Sequence, residues 1–217
     1  MFIVDFLTRL FHDMPGTLEA LSQTMGPWFY VILFAIIFCE TGLIVTPFLP
    51  GDSLLFAAGA VCALPGAGLN VYLLGFALIC AALLGDTVNY SISRWAARKF
   101  METGKIPYVK QEHLARTHAF FEKHGGRTII LARFLPIIRT YAPFVAGAAA
   151  MPRKYFFSYS VIGAVTWISI FLGLGYGLGN HPAIRENFKY VILAIILISV
   201  APAVIELVRA RKAGRAL

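Results

Sequence analysis

The strongest constraint on this chain is a set of apolar runs, each long enough to cross a lipid bilayer. A helix needs about 20 predominantly apolar residues to span the ~30 Å hydrocarbon core. Four stretches meet this condition: Trp28–Val45, Leu69–Ile92, Tyr155–Leu178 and Tyr190–Val208. The chain is 59% hydrophobic and only 14% charged, whereas a soluble domain carries about 25% charged residues. The sequence therefore predicts an all-α, polytopic membrane protein with a single membrane domain over residues 1–217.

Basic residues give the predicted orientation of the spans. Residues 94–127 carry eight Lys and Arg side chains against three Glu, and residues 209–215 add four more bases. The connections at 62–69 and 179–187 carry no net charge. Short loops rich in Lys and Arg stay in the cytoplasm. We therefore expect the amphipathic connection 94–127 and both chain termini to be cytoplasmic.

Two further apolar stretches, residues 46–61 and 128–151, do not fit the count of four crossings. Each is interrupted by proline, and each must begin and end on the same side of the membrane. Broken segments at membrane depth are tolerated where they lie inside protein or line a wet cavity. We expect two re-entrant hairpins, the first inserted from the outer side and the second from the cytoplasmic side.

The two hairpins share a sequence pattern. The first reads FLPGDSLLFAAGA and the second reads FLPIIRTYAPFVAGAAA, so each combines Phe-Leu-Pro, a charged residue and an Ala-Gly-Ala arm. Similar segments with opposite insertion are typical of inverted-repeat transporters. The prediction is a first repeat over 28–92, a second repeat over 128–178 and a last span over 190–208.

Four charged residues fall within the first predicted span and the two predicted hairpins. Glu40 and Asp52 belong to the first helix and the first hairpin, and Arg133 and Arg139 belong to the second hairpin. A charge at the bilayer centre costs about 2.5–3.5 kcal/mol on insertion scales, so such residues usually pair and mark a functional site. Opposed hairpins are expected to bring the acids and the bases together. Guanidinium groups suit a phosphate or a carboxylate, and carboxylic acids in a dry site can exchange protons.

Some of these residues also have a purely structural interpretation. Asp52 can cap a half-helix over Ser53–Val61, and Arg133 can extend its head group to the inner membrane surface. Asp86, which shares a helical face with Asn89 and Tyr90, is expected to pair with an arginine rather than to contact a ligand.

Three motifs together resemble the bacterial DedA family. The residues that carry the resemblance are Glu40, Pro47, Pro50-Gly51-Asp52, Gly85-Asp86 with Tyr90, His124-Gly125-Gly126, Arg133-Phe134-Leu135-Pro136, Arg139-Thr140 and Ala146-Gly147. The resemblance covers about residues 28–178. One departure is that many relatives have Gly-Arg where this chain has Ser93-Arg94, a difference that bears on how closely the helices pack there.

The resemblance implies an inner-membrane protein with a role in envelope integrity and in moving undecaprenyl phosphate, with apparent proton coupling. It places the functional residues on Glu40, Asp52, Arg133 and Arg139. In the mechanism that we favour, the two arginines bind the phosphate and the two acids exchange protons. The supporting positions in this mechanism are Asp86, Tyr90, Pro50, Gly51, Pro136 and Thr140.

The expected function is that of a proton-coupled transporter, or flippase, of a lipid phosphate such as undecaprenyl phosphate. One alternative is a proton-coupled transporter of a small cation or drug, and another is an envelope scaffold without transport. A membrane phosphatase has no convincing nucleophile here, so no enzyme activity is predicted. We expect the bilayer, protons and a polyprenyl phosphate or other anionic lipid as partners, and we allow for a homodimer. No cofactor, metal or nucleic acid is expected.

Overall fold

A computed structural model describes residues 22–43, 51–103, 126–179 and 181. Within these ranges the chain is helical and contains no strand, so the all-α prediction is confirmed there. The helices are α1 (Pro27–Gly42), α2 (Gly51–Cys62), α3 (Val71–Thr103), α4 (Arg127–Ala132), α5 (Pro136–Ala148) and α6 (Arg153–Gly179). The three cysteines, which all lie in the described ranges, are free thiols.

Two of these helices are long and apolar enough to cross a membrane. They are the stretch Val71–Lys99 of α3, with 29 residues, and α6, with 27 residues. Both agree with predicted spans. Helix α1 is apolar but has only 16 residues, so the described part of the first predicted span is shorter than expected. The last predicted span, 190–208, lies outside the described residues.

Exposed aromatic residues occur towards both ends of the two long helices. Tyr72 and Trp95 are exposed on α3, and Tyr155 and Tyr176 are exposed on α6. At about 1.5 Å of rise per residue, the members of each pair are roughly 30–35 Å apart along their helix. Tyr and Trp concentrate at the two interfaces of a bilayer, so this spacing agrees with a membrane-spanning role for both helices.

The chain divides into two compact units. Among the described residues, the first unit contains 22–30, 51–75, 169–179 and 181, and the second contains 31–43, 76–103 and 126–168. The boundary between the units falls inside three of the helices, α1, α3 and α6.

The first unit is held by a small apolar cluster and by side-chain hydrogen bonds around the turn after α2. Val61, Leu64 and Ala67 form the cluster, with Phe29 and Leu69 packed against it. The Ser22 hydroxyl donates to the Ala67 carbonyl at 3.2 Å, and the Gln23 amide donates to the Gly66 carbonyl at 2.6 Å. The Asn70 side chain accepts from the backbone N–H groups of Tyr72 and Leu73 at 2.9 and 3.0 Å. Asn70 is therefore the N-cap that starts α3.

Helix α2 and the end of α6 approach each other through glycines. A Cβ atom at Gly59 would lie 2.9 Å from the backbone nitrogen of Tyr176, and one at Gly175 would lie 2.8 Å from the carbonyl carbon of Phe56. A Cβ atom at Gly179 would lie 2.9 Å from the Cα atom of Ala60. Small residues let helix backbones come into van der Waals contact, which is the main source of helix association in lipid.

The second unit has a core at the point where α3, α4, α5 and α6 meet. Tyr90, Ile129, Ala146 and Phe156 are buried together. The rings of Tyr90 and Phe156 stack with centroids 4.4 Å apart. Stacked aromatic pairs contribute about 0.5–1.5 kcal/mol beyond the area that they bury.

Helix α5 ends in a Schellman motif. The Met151 N–H donates to the Ala146 carbonyl and the Ala150 N–H donates to the Gly147 carbonyl, both at 3.0 Å. This pattern needs a left-handed residue, and Ala150 takes that role with a φ of 55°. An alanine in this conformation costs about 1–2 kcal/mol, so the contacts around this turn hold it in place.

The second predicted hairpin is a broken helix. Helix α4 ends at Ala132, and α5 begins at Pro136. Between them, backbone N–H groups bond to carbonyls three residues earlier, from Arg133 to Ile130 at 3.3 Å and from Leu135 to Ala132 at 3.0 Å. In the first hairpin, Pro50 and residues 46–49 lie outside the described ranges. Re-entrant insertion and the inverted repeat stay predictions, and most of the connection 94–127 also lies outside the described residues.

We predict that Gly175→Ala destabilises the protein while Gly173→Ala does not. The added methyl group at Gly175 meets the backbone of Phe56, whereas the one at Gly173 has nothing within 4 Å. An exposed Gly→Ala change in a helix gains up to about 1 kcal/mol, so Gly173→Ala should be neutral or stabilising. Thermal unfolding of both variants in the same detergent measures the difference. Equal melting temperatures for the two variants would contradict this packing.

Candidate functional site

The site begins at a close contact between α1 and α3. A Cβ atom at Gly42 would lie 3.2 Å from the Cα atom of Gly85, and one at Gly85 would lie 2.9 Å from the Gly42 nitrogen. Glu40 comes just before this contact on α1, and Asp86 follows it directly on α3. Both acids are buried, with exposed fractions of 2% and 3%.

Arg133 forms an ion pair with Asp86. Its guanidinium donates to the Asp86 carboxylate and, at 3.5 Å, to the Ser160 carbonyl of α6. A Cβ atom at Gly163 would lie 3.0 Å from the Arg133 Nε atom, so a glycine leaves room for the arginine. Arg133 is 5% exposed. It therefore does not extend to the surface, and Asp86 has the arginine partner that the sequence predicted.

Arg139 forms the second ion pair, with Glu40. Its guanidinium donates to the Glu40 carboxylate, and both side chains are buried. The guanidinium carbon also lies 5.2 Å from the centroid of the Trp167 ring on α6. A cation over an indole face is stabilised by up to about 2 kcal/mol when desolvated. Trp167 is fully buried, so this contact is in the dry interior of the unit.

Asn89 connects the two helices that carry the second pair. Its side-chain amide donates to the carbonyl of Thr41 at 3.2 Å and to the carbonyl of Thr140 at 3.0 Å. Each threonine directly follows a member of the Glu40–Arg139 pair in sequence. Asn89 also lies one helical turn after Asp86, on the same face of α3. One face of α3 thus carries an acid of the first pair and bonds to the residues that follow the two members of the second pair.

Burial gives these pairs their chemical character. Removing two charges from water is expensive, and the mutual attraction repays that cost only with good geometry and further hydrogen bonds. Arg133 has the Ser160 carbonyl and Arg139 has the indole of Trp167. The result is two buried ion pairs, carried by α1, α3, α5 and the α4–α5 break. A guanidinium in such a pair is also suited to bind another anion, such as a phosphate.

Most of the predicted site residues lie in the second unit. Glu40, Arg133, Arg139, Asp86 and Thr140 come together in the second unit. Tyr90 is also there, but it accepts a hydrogen bond from Arg94 and donates to the Met151 carbonyl, so it fixes the end of α5. Pro136 begins α5, a position where its missing N–H is not needed.

Asp52 belongs to the first unit. It lies in the first turn of α2, which begins at the buried Gly51. An acid there interacts favourably with the positive end of the helix dipole. Helix α2 begins at Gly51, two residues before the start of the predicted half-helix, and the predicted capping role of Asp52 stays a prediction. Its predicted association with the arginines stays a prediction, and Pro50 lies outside the described residues.

The departure at Ser93 does not loosen the packing. Ser93 is buried, and its hydroxyl donates to the Tyr90 carbonyl at 2.9 Å. The facing residue on α5 is Gly147, where a Cβ atom would collide with the Ser93 hydroxyl. The small residue that permits close approach is therefore on α5.

Sequence reasoning missed two contributors. Trp167 looked like one more apolar residue of a span, and nothing in its spacing linked it to Arg139. Asn89 was placed on the face of Asp86, but its bonds to two distant carbonyls were not predicted. The described residues contain no group of His, Cys, Asp and Glu that could hold a metal ion.

We predict that Asp86→Ala destabilises the protein by roughly 3–5 kcal/mol, because it leaves Arg133 buried without its counter-charge. The double variant Asp86→Ala with Arg133→Leu should recover much of that loss. Thr87→Ala, at the exposed neighbouring position, is the control. Unfolding free energies of the variants in one detergent test the pair. A cost below 1 kcal/mol for Asp86→Ala would show that the pair contributes little.

Comparison with known proteins identifies the family to which the chain is similar. The family described as the VTT domain matches residues 49–177. The chain is 47% identical to Protein DedA of Escherichia coli strain K12 over 98% of its own length and 95% of that protein. It is 36% identical to an uncharacterized membrane protein of Mycobacterium leprae, over 88% of this chain and 90% of that one.

A third relative, Inner membrane protein YqjA of Escherichia coli strain K12, is 31% identical over 91% of this chain and 90% of that protein. No solved structure matches the chain. The family match covers more than half of the chain, and the first relative aligns over almost all of it. The chain therefore belongs to the DedA family of VTT-domain membrane proteins.

Proposed function

We propose that this protein is a proton-coupled transporter of a lipid phosphate, of the undecaprenyl phosphate type, in the bacterial inner membrane. The observation that supports this most is the pair of buried arginines, each bonded to a buried carboxylate. An arginine at membrane depth is costly and is usually part of a substrate or ion pathway. The relative named as an inner membrane protein supports the location.

The two arginines have different surroundings. Arg133 bonds to Asp86 and the Ser160 carbonyl, and Gly163 packs directly against its side chain. Arg139 bonds to Glu40 and lies over an aromatic face. A planar guanidinium can bind two phosphate oxygens at once. Because Arg133 also bonds to the backbone of α6, we assign a positioning role to it and to Asp86, and we assign phosphate binding mainly to Arg139.

Proton coupling follows from the competition for Arg139. The ionised Glu40 carboxylate and a phosphate both require the same guanidinium. A proton on Glu40 removes its charge and weakens its hold on Arg139, which can then bind the phosphate. When the phosphate leaves, Glu40 can lose its proton and pair with Arg139 again. In this scheme the proton and the lipid phosphate bind together, and Asp52 is a second proton site.

We propose that the N- and C-termini are cytoplasmic, which the charge bias of the connections supports. We propose transport without covalent chemistry, and we assign no enzymatic step. A proton-coupled transporter of a small cation or drug uses the same acids, with the arginines as counter-charges. The two kinds of transporter differ in what the substrate competes for. A transported anion competes with Glu40 for Arg139, whereas a transported cation competes with Arg139 for Glu40.

The test is reconstitution of the purified chain into liposomes that contain a fluorescent polyprenyl phosphate. We predict that Arg139→Lys slows movement between leaflets about tenfold and that Arg139→Ala slows it further. Lysine keeps the charge but loses the planar fork, and a charged hydrogen bond contributes about 1.5–3 kcal/mol. Arg98→Gln, at an exposed position of α3, is the control and should move lipid like the parent.

Parent-like movement by both Arg139 variants would reduce Arg139 to a structural counter-charge. Movement of a fluorescent organic cation, but not of the lipid phosphate, would favour the alternative transporter. A folded parent that moves neither compound would favour an envelope scaffold.

For Glu40, we predict that Glu40→Gln still binds the lipid phosphate but loses the dependence of transport on pH and on an imposed proton gradient. Glutamine keeps the shape and hydrogen-bonding capacity while fixing the group as neutral. Glu40→Asp should keep part of the activity and its pH dependence. Transport rates across a pH series, with and without a gradient, measure both effects. An unchanged pH response in Glu40→Gln would show that Glu40 does not carry the proton. The proton would then bind at Asp52, or transport would not be coupled to protons.

A further inference from the structure

The second unit contains a cavity that the transport mechanism does not use. Its volume is about 330 Å³, within the ~300–1,000 Å³ range of small-molecule sites. Helix α3 contributes Thr87, Tyr90 and Ser91 to its lining, and the start of α6 contributes Arg153, Lys154 and two phenylalanines. Tyr90 is buried, whereas Thr87, Arg153 and Lys154 are exposed. The cavity therefore has a closed floor and an open, basic rim.

The charge of this rim is not neutralised by the described part of the chain. Arg153 and Lys154 are the charged residues of the lining, and no acid is among the lining residues. The first turn of α6 contains no acidic residue. The ion pairs of the described residues use Arg133 and Arg139 and neither of these two bases. Arg153 and Lys154 are also the first two residues of α6, at the positive end of its dipole. This position is unfavourable for cations, and a bound anion would relieve the repulsion.

The surface next to the rim is apolar and exposed. Val88 and Ile92 on α3, and Tyr155 and Phe157 on α6, are exposed large side chains. In a membrane-spanning protein such side chains contact acyl chains. A ligand that satisfies both features has a phosphate at one end and hydrocarbon at the other. Basic pockets between membrane helices are known to hold the headgroups of anionic lipids.

We propose that this cavity binds the headgroup of an anionic diacyl phospholipid as a specific site, separate from the Arg139 site. Arg153 and Lys154 bind the phosphate, and the hydroxyls of Thr87 and Ser91 face the polar part of the headgroup. The acyl chains lie against Val88, Ile92 and Phe157. Binding there neutralises the start of α6 and ties it to α3.

The test uses the full chain, purified in a neutral detergent and titrated with short-chain phosphatidylglycerol. Tryptophan fluorescence reports binding, and the melting temperature gives a second reading. We expect saturable binding of one lipid per chain and a rise in melting temperature. Short-chain phosphatidylcholine, which is zwitterionic, and inorganic phosphate, which has no acyl chains, should each bind at least tenfold more weakly.

Two double variants that remove the same charge distinguish a specific binding site from general attraction between basic side chains and anionic lipid. The double variant Arg153→Gln with Lys154→Gln should raise the dissociation constant for phosphatidylglycerol at least tenfold. The control is Arg98→Gln with Lys99→Gln, which removes the same charge from exposed positions of α3 outside the cavity lining. It should leave the dissociation constant within about twofold of the parent value. Equal losses in the two double variants would overturn the proposal.

A further variant changes the shape of the cavity without changing its charge. Thr87→Phe places a large ring at the rim without adding a tryptophan, and it should abolish saturable binding while both bases remain. Retained binding in Thr87→Phe, or equal affinity for phosphatidylcholine or inorganic phosphate, would also overturn the proposal. Arg139→Ala should bind phosphatidylglycerol like the parent. Phosphatidylglycerol binding by Arg139→Ala therefore tests the cavity separately from the transport proposal, which concerns a polyprenyl phosphate at Arg139.

Discussion

The second unit depends on the need to neutralise charge in a place without water. Two arginines and two carboxylates are buried among apolar helices, and each would be very costly alone. The pairs Arg133–Asp86 and Arg139–Glu40 meet this requirement across segments that are distant in sequence. The close contact at Gly42 and Gly85, the break before Pro136 and the glycine at position 163 all bring helices or side chains near enough to form these pairs.

Much of the site could be predicted because charge in an apolar segment is so conspicuous. Glu40, Arg133 and Arg139 are identifiable from their surroundings alone, and the face that carries Asp86 and Asn89 follows from helical periodicity. The pairing of Asp86 with an arginine was predicted for the same reason. The two long helices were also predictable, because apolar length and the bilayer thickness define them.

The partner of each charge was harder to predict. The sequence favoured Glu40 and Asp52 as the pair of acids facing both arginines, whereas within the second unit the partner of Arg133 is Asp86. Side-chain partners depend on the rotation and crossing of helices, and a glycine at 42 or 85 signals only that some close contact exists. Trp167 has no charge and no distinctive spacing, so its position over Arg139 required three-dimensional information.

The amide of Asn89 has a consequence for how this part of the protein can move. Helix α1 ends at Gly42, so the Thr41 carbonyl that Asn89 binds lies in its last turn, where intrahelical N–H donors run out. In α5, Pro143 has no N–H for the Arg139 carbonyl, and Asn89 binds the next carbonyl along, that of Thr140. Both bonds come from a single NH₂ group. A rearrangement that separates α1 from α5 must give up at least one of them together with the Glu40–Arg139 contact. Separation of α1 from α5 therefore acts on the ion pair and on the Asn89 bonds at the same time.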